Sequence, residues 1–383
     1  MLTTSFSFIE IKSKMISRTS SNTRDSFDVL GKTKHLNEDD NTQDIQETES
    51  IVIGETRKAF LNDTFLDRDI VNGRLVTSEG VPVKVVILVA SSARSGSSMI
   101  GELLAQQDNQ LYLFEPVYYT LKNSAINGTD ILRDMIYCQI SDEYTKWLRS
   151  MSPNKIFRHP MTGRNCGRKN ACLTAPALKE ACRKANNRIM KVIRIRMRWM
   201  KELLDDPYVD LKVIHLVRDP RATIISRRKT FGAKTLNAGY QCHGIEEDLR
   251  VTPQLMREYP DKVMGITYED FCIDPIGKAT EMWHFISDNK SSTLPTAWSK
   301  YIEGHTQGSP SNKRPFAYST FRNSKIEYQE WRRQITKKAL VEIEKHCKPV
   351  LKLLGYNLFG TLKKSRNLDI PLFSKNRIPY TDL

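Results

Sequence analysis

Residues 84–104 read KVVILVASSARSGSSMIGELL. Lys84 to Ala90 is a continuous apolar, β-branched run, the pattern of a strand buried on both faces of a parallel sheet. The chain then turns through Ser91-Ser92-Ala93-Arg94-Ser95-Gly96-Ser97-Ser98. A helical pattern follows from Met99 to Gln107, with Leu103 and Leu104 on its apolar side. Strand, Ser/Gly loop and helix in that order turn backbone N–H groups and a helix N-terminus toward one point, which is a ready anion site. The loop is not a Walker A motif, because GxxxxGK[ST] is absent. Arg94 stands near where that motif offers Lys, and a guanidinium can hold two oxygens of a phosphate or sulfate at once. An ordinary Ser-rich turn reads the same locally, so the string alone leaves both readings open.

Working outward, Gln110–Phe114 (QLYLF) predicts a second strand that ends at Glu115-Pro116. Residues 120–185 read as mostly helical with loops. From Val192 to Trp199, Ile193, Ile195, Met197 and Trp199 alternate with Arg194, Arg196 and Arg198, which predicts a strand running into a helix that stops near Asp206-Pro207. Leu211–Val217 (LKVIHLV) is another buried strand, and a helix follows over 222–229. Val263–Tyr268 predicts a further short strand, 278–286 a helix, 303–330 a long loop, and 331–354 helix again. Strands alternating with helices imply an α/β fold with a central parallel sheet and helices on both faces. Residues 1–50 are rich in Ser, Thr, Asn and Asp and read as a disordered arm. Residues 1–80 together are expected to be a disordered or poorly ordered N-terminal arm, with one domain over 81–383.

The second informative string is RDPRATIIS, Arg218–Ser226. It begins where a buried strand ends, and ligands of open α/β sheets bind at the carboxyl ends of strands. Taken singly, Arg218-Asp219 reads as a structural ion pair and Ser226 as a helix hydroxyl bonded to its own backbone. Taken with the first loop, two cationic sites at neighbouring strand ends suit a nucleotide carrying phosphates at both its 5′ and 3′ positions.

Several strings in register resemble those of the carbohydrate sulfotransferases, in particular enzymes that sulfate the 6-hydroxyl of galactose, N-acetylglucosamine or N-acetylgalactosamine. They are SSARSGSSMIGELL at 91–104, LYLFEPV at 111–117, DDPYVDLKVIHLVRDPRATIISR at 205–227, YEDFCIDP at 268–275, YSTFRNS at 318–324, WRR at 331–333 and IEKHCKPVLKLLGY at 343–356. The resemblance covers residues 83–358. It implies a P-loop-like sulfotransferase fold and PAPS (3′-phosphoadenosine-5′-phosphosulfate) as co-substrate, with no metal. It also implies roles: Arg94, Ser95, Gly96, Ser97 and Ser98 form the 5′-phosphosulfate loop, and Arg218 and Ser226 the 3′-phosphate site. Ser319 and Arg322 resemble residues that close over the donor. Arg94 would stabilise the leaving group. Glu115, ending the strand beside the loop, is the candidate base; the alternative is that it caps the turn or pairs with one of the many arginines. The acceptor would be an anionic or neutral glycan.

The protein has 383 residues and a net charge of +15. Between Lys155 and Lys234, 21 Lys/Arg face six Asp/Glu, either a solvated basic face or a groove for a polyanion. Nucleic acid would suit the charge, but no nucleic-acid motif is present. A nucleotide kinase would want a P-loop Lys and magnesium carboxylates. A catalytically inactive relative that binds PAPS or glycan is the remaining alternative. Tyr208, Trp199 and Phe231 are candidates to stack on adenine or sugar, though most of them are expected to be core. Seven cysteines and no C-x-x-C pair exclude a zinc ribbon and leave one thiol over from at most three disulfides. Cys166, Cys172 and Cys182 lie close in sequence, and one of them is a candidate partner for Cys242. Sequons at Asn62, Asn127 and Asn289, with the cysteines, lean toward a secretory compartment. The family's Golgi-lumen location and N-terminal membrane anchor follow from the resemblance alone, since the chain shows neither an 18-residue apolar stretch nor a signal-peptide core.

Overall fold

The computed structural model describes residues 69–118, 128–150, 173–232, 237–308 and 319–382. Asn62, Asn127, Cys166 and Cys172 lie outside these residues. The described part begins with a small antiparallel hairpin, β1 (Ile70–Val71) and β2 (Arg74–Leu75). Leu75 is buried in the main core, its N–H donates to the Tyr208 carbonyl, and its own carbonyl accepts from Val83 N–H. The expected arm thus already carries packed chain from residue 69.

Five parallel strands follow: β3 (Lys84–Ala90), β4 (Gln110–Phe114), β5 (Asn187–Val192), β6 (Asp210–Val217) and β7 (Val263–Thr267). Their order across the sheet is β4-β5-β3-β6-β7, so the first long strand is central. Val85, Ile87 and Val89 face one hydrophobic layer, and Val86, Leu88 and Ala90 face the other. The even-numbered layer is covered by α1 (Ser97–Leu104), by α8 (Pro275–Ser287) and by α9 (Thr296–Thr306). The opposite face carries α2 (Gly128–Ile136), α3 (Asp142–Ser150) and α4 (Ala175–Lys184). A third cluster joins α5 (Pro220–Phe231) and α6 (Ala238–Glu258) to α10 (Lys337–His346) and α11 (Lys348–Leu353). The short α7 (Tyr268–Ile273) springs straight from β7. This is the expected parallel sheet covered on both faces.

One strand lies elsewhere than its pattern suggested. The predicted 192–199 strand is β5, which ends at Val192; residues 197–199 form a turn of 3₁₀ helix. The sequence of β5, NRIMKV, holds two charges in a buried strand. Arg188 is satisfied by the carbonyls of Ile136 and Cys182, and Lys191 by Glu115. The arginine alternation after it reflects individual ion pairs, such as Arg196 with Asp248, rather than a pleat.

The disulfides differ from the expectation for Cys242. Cys242 bonds Cys347, tying α6 to the corner between α10 and α11, and Cys182 bonds Cys138, tying α4 to the end of α2. Cys242 and Cys347, 105 residues apart, meet through packed helices, which no local pattern announces. Among the described residues Cys272 is a buried free thiol.

Candidate functional site

The Ser/Gly loop of residues 91–98 leaves β3 at its carboxyl end. Arg94 and Gly96 both take left-handed backbone conformations, with φ of 72° and 87°. Alternation of hands along successive residues points N–H groups into one concavity. Gly96 has a second reason to be glycine: a Cβ there would meet the Tyr268 ring at 2.2 Å. It also begins α1, whose first N–H groups have no partner within the helix. Ile100, Leu103 and Leu104 bury the other side of α1 against the sheet, so the loop is held at a fixed height. Ser95 is fully buried, and its hydroxyl has no hydrogen-bond partner.

The second corner follows β6. Asp219 caps α5 by accepting from Arg221 N–H, and it binds the Arg221 guanidinium rather than that of Arg218. The ion pair considered for Arg218-Asp219 is therefore absent, and Arg218 is turned the other way. Its guanidinium lies over the Tyr268 ring at 4.4 Å and donates to the Arg94 carbonyl at 3.1 Å and, at 3.4 Å, to that of Glu327. Its Nε is buried without a hydrogen-bond partner. Glu269 stands 4.0 Å away, accepting from Asp219 N–H and the Tyr356 hydroxyl. Burial, opposed by Arg218, pushes the Glu269 carboxyl up to about 7.

The two corners are joined directly. Arg94 Nε donates to Ser226 Oγ at 3.1 Å, so the Ser226 hydroxyl meets the loop's arginine instead of its own backbone. Together they line a cavity of about 400 Å³. Its walls include Arg94, Gly96, Ser97, Ser98, Glu115, Arg218, Ser226, Ser319 and Arg322. Of the donor-binding and catalytic residues expected from the sequence, Ser95 alone is not part of the lining. Phe231 lines the cavity, half exposed; Trp199 and Tyr208 are exposed and do not.

Glu115 closes the far wall. Its φ of 46° turns the chain at the end of β4 while its N–H still pairs with the Lys191 carbonyl of β5. Lys191 Nζ donates to Oε1 at 2.5 Å, and Arg194 donates to Oε2. Both carboxylate oxygens are thus fixed, and one anion is shared by two cations. Lys191, Arg194, Tyr268 and Glu327 all line the cavity and were not singled out from the sequence. Lys191 carried the one legible signal, a charge at the carboxyl end of an apolar run. His215, set aside in the sequence because it lies within a strand, is fully buried between Ser91, Tyr380 and Thr252, and burial pulls it down to about 3.

The residues present fit a nucleotide with anionic groups at two positions. Cationic groups and helix amides converge on one cavity, and the buried Ser95 hydroxyl and Arg218 Nε are the kind of polar atoms a bound oxyanion satisfies.

Comparison with known proteins bears on the same stretch. The family model described as "Sulfotransferase domain" matches residues 85–355. The chain is 28% identical to carbohydrate sulfotransferase 3 of Rattus norvegicus, over 76% of this chain and 71% of that one. It is 26% identical to carbohydrate sulfotransferase 1 of Danio rerio, over 78% and 84%, and 27% identical to carbohydrate sulfotransferase 5 of Mus musculus, over 76% and 86%. Among solved structures it is similar to a sulfotransferase domain from the curacin biosynthetic pathway, at 14% identity and a TM-score of 0.42, covering 72% of this chain and 99% of that one.

Proposed function

The chain belongs to the sulfotransferase family, among the carbohydrate sulfotransferases, and from that premise we propose that it transfers a sulfuryl group from PAPS to a carbohydrate hydroxyl, the C6 hydroxyl of galactose, N-acetylglucosamine or N-acetylgalactosamine in a glycan or glycosaminoglycan. One observation carries the donor assignment: the Arg94–Ser226 hydrogen bond, which fuses a loop suited to a 5′-phosphosulfate with a corner suited to a 3′-phosphate. Arg94 through Ser98 receive the first group, and Arg218 and Ser226 the second. Ser319 and Arg322 bind the donor from the facing wall.

The acceptor oxygen attacks sulfur in line, the sulfur–oxygen bond to the 5′-phosphate breaks, and adenosine 3′,5′-bisphosphate leaves. Arg94 and the amides at the start of α1 oppose the charge that grows on the departing oxygen. Glu115 takes the acceptor's proton. Lys191 and Arg194 hold its two oxygens in place, so the shift of one cation frees an oxygen for that proton. Two disulfides among the described residues support an oxidising compartment, read here as the Golgi lumen.

The test is transfer of labelled sulfate from PAPS by the full-length protein to keratan-type, chondroitin and N-acetylglucosamine-terminated acceptors in parallel. Transfer to one of them, lost in Arg94→Ala and Arg218→Ala, supports the reading and names the acceptor. PAPS binding without transfer to any acceptor favours an inactive relative, and no PAPS binding at all ends the proposal.

A further inference from the structure

Helix α9 stands outside the catalytic wall, yet it touches both of the segments assigned to the donor. At its first turns Trp298 is fully buried in the core layer that also holds α1. Midway, the Tyr301 hydroxyl donates to Glu102 Oε2 of α1 at 2.8 Å. At its carboxyl end, His305 lies between two rings. Tyr301, one turn earlier, is stacked on it with centroids 3.8 Å apart, and Phe321 is stacked on the other side at 4.2 Å, both within 16° of parallel. His305 Nδ1 donates to the Tyr301 carbonyl at 2.8 Å, which sets the angle of the imidazole. Burial lowers its proton affinity, which favours the neutral ring in the stack.

Phe321 lies between Ser319 and Arg322. The backbone there is pinned to the same helix end: Arg322 N–H donates to the His305 carbonyl at 3.0 Å, and Gly308 N–H to the Arg322 carbonyl at 3.1 Å. Ser319 Oγ accepts from Phe321 N–H at 3.2 Å, so the ring's position and the hydroxyl's are linked. A continuous path therefore runs from the phosphate loop through α1, Glu102, Tyr301, His305 and Phe321 to Ser319 and Arg322.

We infer that His305 is a positioning residue for the donor: clamped between Tyr301 and Phe321, it fixes the distance between the phosphate loop at the start of α1 and the Ser319–Arg322 segment across the cavity. The inference rests on the reading of both segments as donor-binding. The imidazole itself does not line the cavity. Its contribution is to hold Ser319 and Arg322 in the donor-ready geometry before the nucleotide arrives, which lowers the ordering cost of binding. Removing the ring leaves the backbone ladder, and hence the fold, in place. It slackens the side of the site that faces the loop.

The experiment is steady-state kinetics with PAPS as the varied substrate, with calorimetric PAPS binding and thermal unfolding alongside. The proteins are the full chain and its His305→Ala, His305→Phe, Phe321→Ala and doubly substituted His305→Ala/Phe321→Ala forms. Two aromatic contacts of this kind predict a rise of about tenfold in the PAPS KM of His305→Ala, with kcat within about twofold. His305→Phe, which can still stack, returns KM to within about threefold of wild type. Because the two substitutions remove one shared contact, the double variant is little worse than either single one. An unchanged KM in His305→Ala and Phe321→Ala overturns the inference. So does a fall in melting temperature that His305→Phe does not rescue, with kcat falling in step, since that pattern belongs to a merely structural histidine. Wild-type protein that fails to bind PAPS overturns the donor assignment itself, whereas normal wild-type binding with indifferent variants sinks the role of His305 alone.

Discussion

Arg218 and Arg221 sit three residues apart in the same corner, and they are spent in opposite ways. Arg221 faces the third core cluster. It is fully buried, bonded to Asp219, Glu344 and the Asn357 carbonyl, and it lies over the Trp331 ring at 4.6 Å. Two carboxylates neutralise it. Arg218 faces the cavity with its Nε making no hydrogen bond, only an ion pair at 4.0 Å with Glu269, and its other nitrogens donate to two carbonyls. Burial alone therefore does not mark a functional arginine. What separates the two is how closely the protein supplies the counter-charge: two carboxylates in direct contact for Arg221, one at 4.0 Å for Arg218. The same contrast holds on the other wall, where Lys191 and Arg194 share the single carboxylate of Glu115.

The sharpest way to break this contrast is to delete each arginine. Arg221→Ala strands Asp219 and Glu344 in the interior and is expected to cost about 3–5 kcal/mol of folding stability, read by denaturant unfolding. Arg218→Ala should leave the unfolding midpoint nearly unchanged while PAPS binding falls; equal losses of stability in the two variants would erase the distinction. Arg94→Ala, which removes the loop's charge without touching the core, is expected to lower turnover by about 100- to 1,000-fold. Glu115→Gln keeps the size of the side chain and loses its charge. Turnover should fall about 100-fold with little change in PAPS binding, and near-normal turnover removes Glu115 as the base.

The smallest effect is a pH dependence. With Glu269 protonated below about 7 and ionised above it, the charge that Arg218 presents to a phosphate is undiminished on the acid side and partly cancelled on the alkaline side. The PAPS KM should therefore rise a few-fold between about pH 6 and pH 8, and Glu269→Gln should flatten the profile. Linkage gives stability the same sign. The folded carboxyl keeps its proton above the ordinary glutamate value of 4.5, so this group's contribution falls as pH rises from 4.5 toward about 7. A profile identical in wild type and Glu269→Gln would show that Glu269 does not report on Arg218.

The parallel strands were legible because KVVILVA, QLYLF, LKVIHLV and VMGIT are mostly apolar runs of strand length. β5 was displaced by five residues because Arg188 and Lys191, both buried with specific partners, look like surface charges in one dimension. The 21-residue helix α6 was not foreseen: Pro253 stands inside it, and polar residues such as Gln241 and Asp248 are buried in it. The loop and corner residues could be picked out because strand ends and Gly96 announce themselves. Arg194 and Glu327 could not, because nothing local says which charged side chain bends toward a cavity assembled from distant segments. The Cys242–Cys347 bond and the His305 stack depend on tertiary packing in the same way.

The claim that the Arg218 corner is kept for a ligand's 3′-phosphate is tested most directly by calorimetric titration of wild-type and Arg218→Ala protein with adenosine 3′,5′-bisphosphate and with AMP, which lacks the 3′ group. The account predicts that wild type prefers the bisphosphate by about 100-fold or more, in keeping with charge-assisted bonds of roughly 1.5–3 kcal/mol each, and that Arg218→Ala binds the two nucleotides nearly alike. Equal affinity of the wild-type protein for both, or a preference that survives the loss of Arg218, would contradict it.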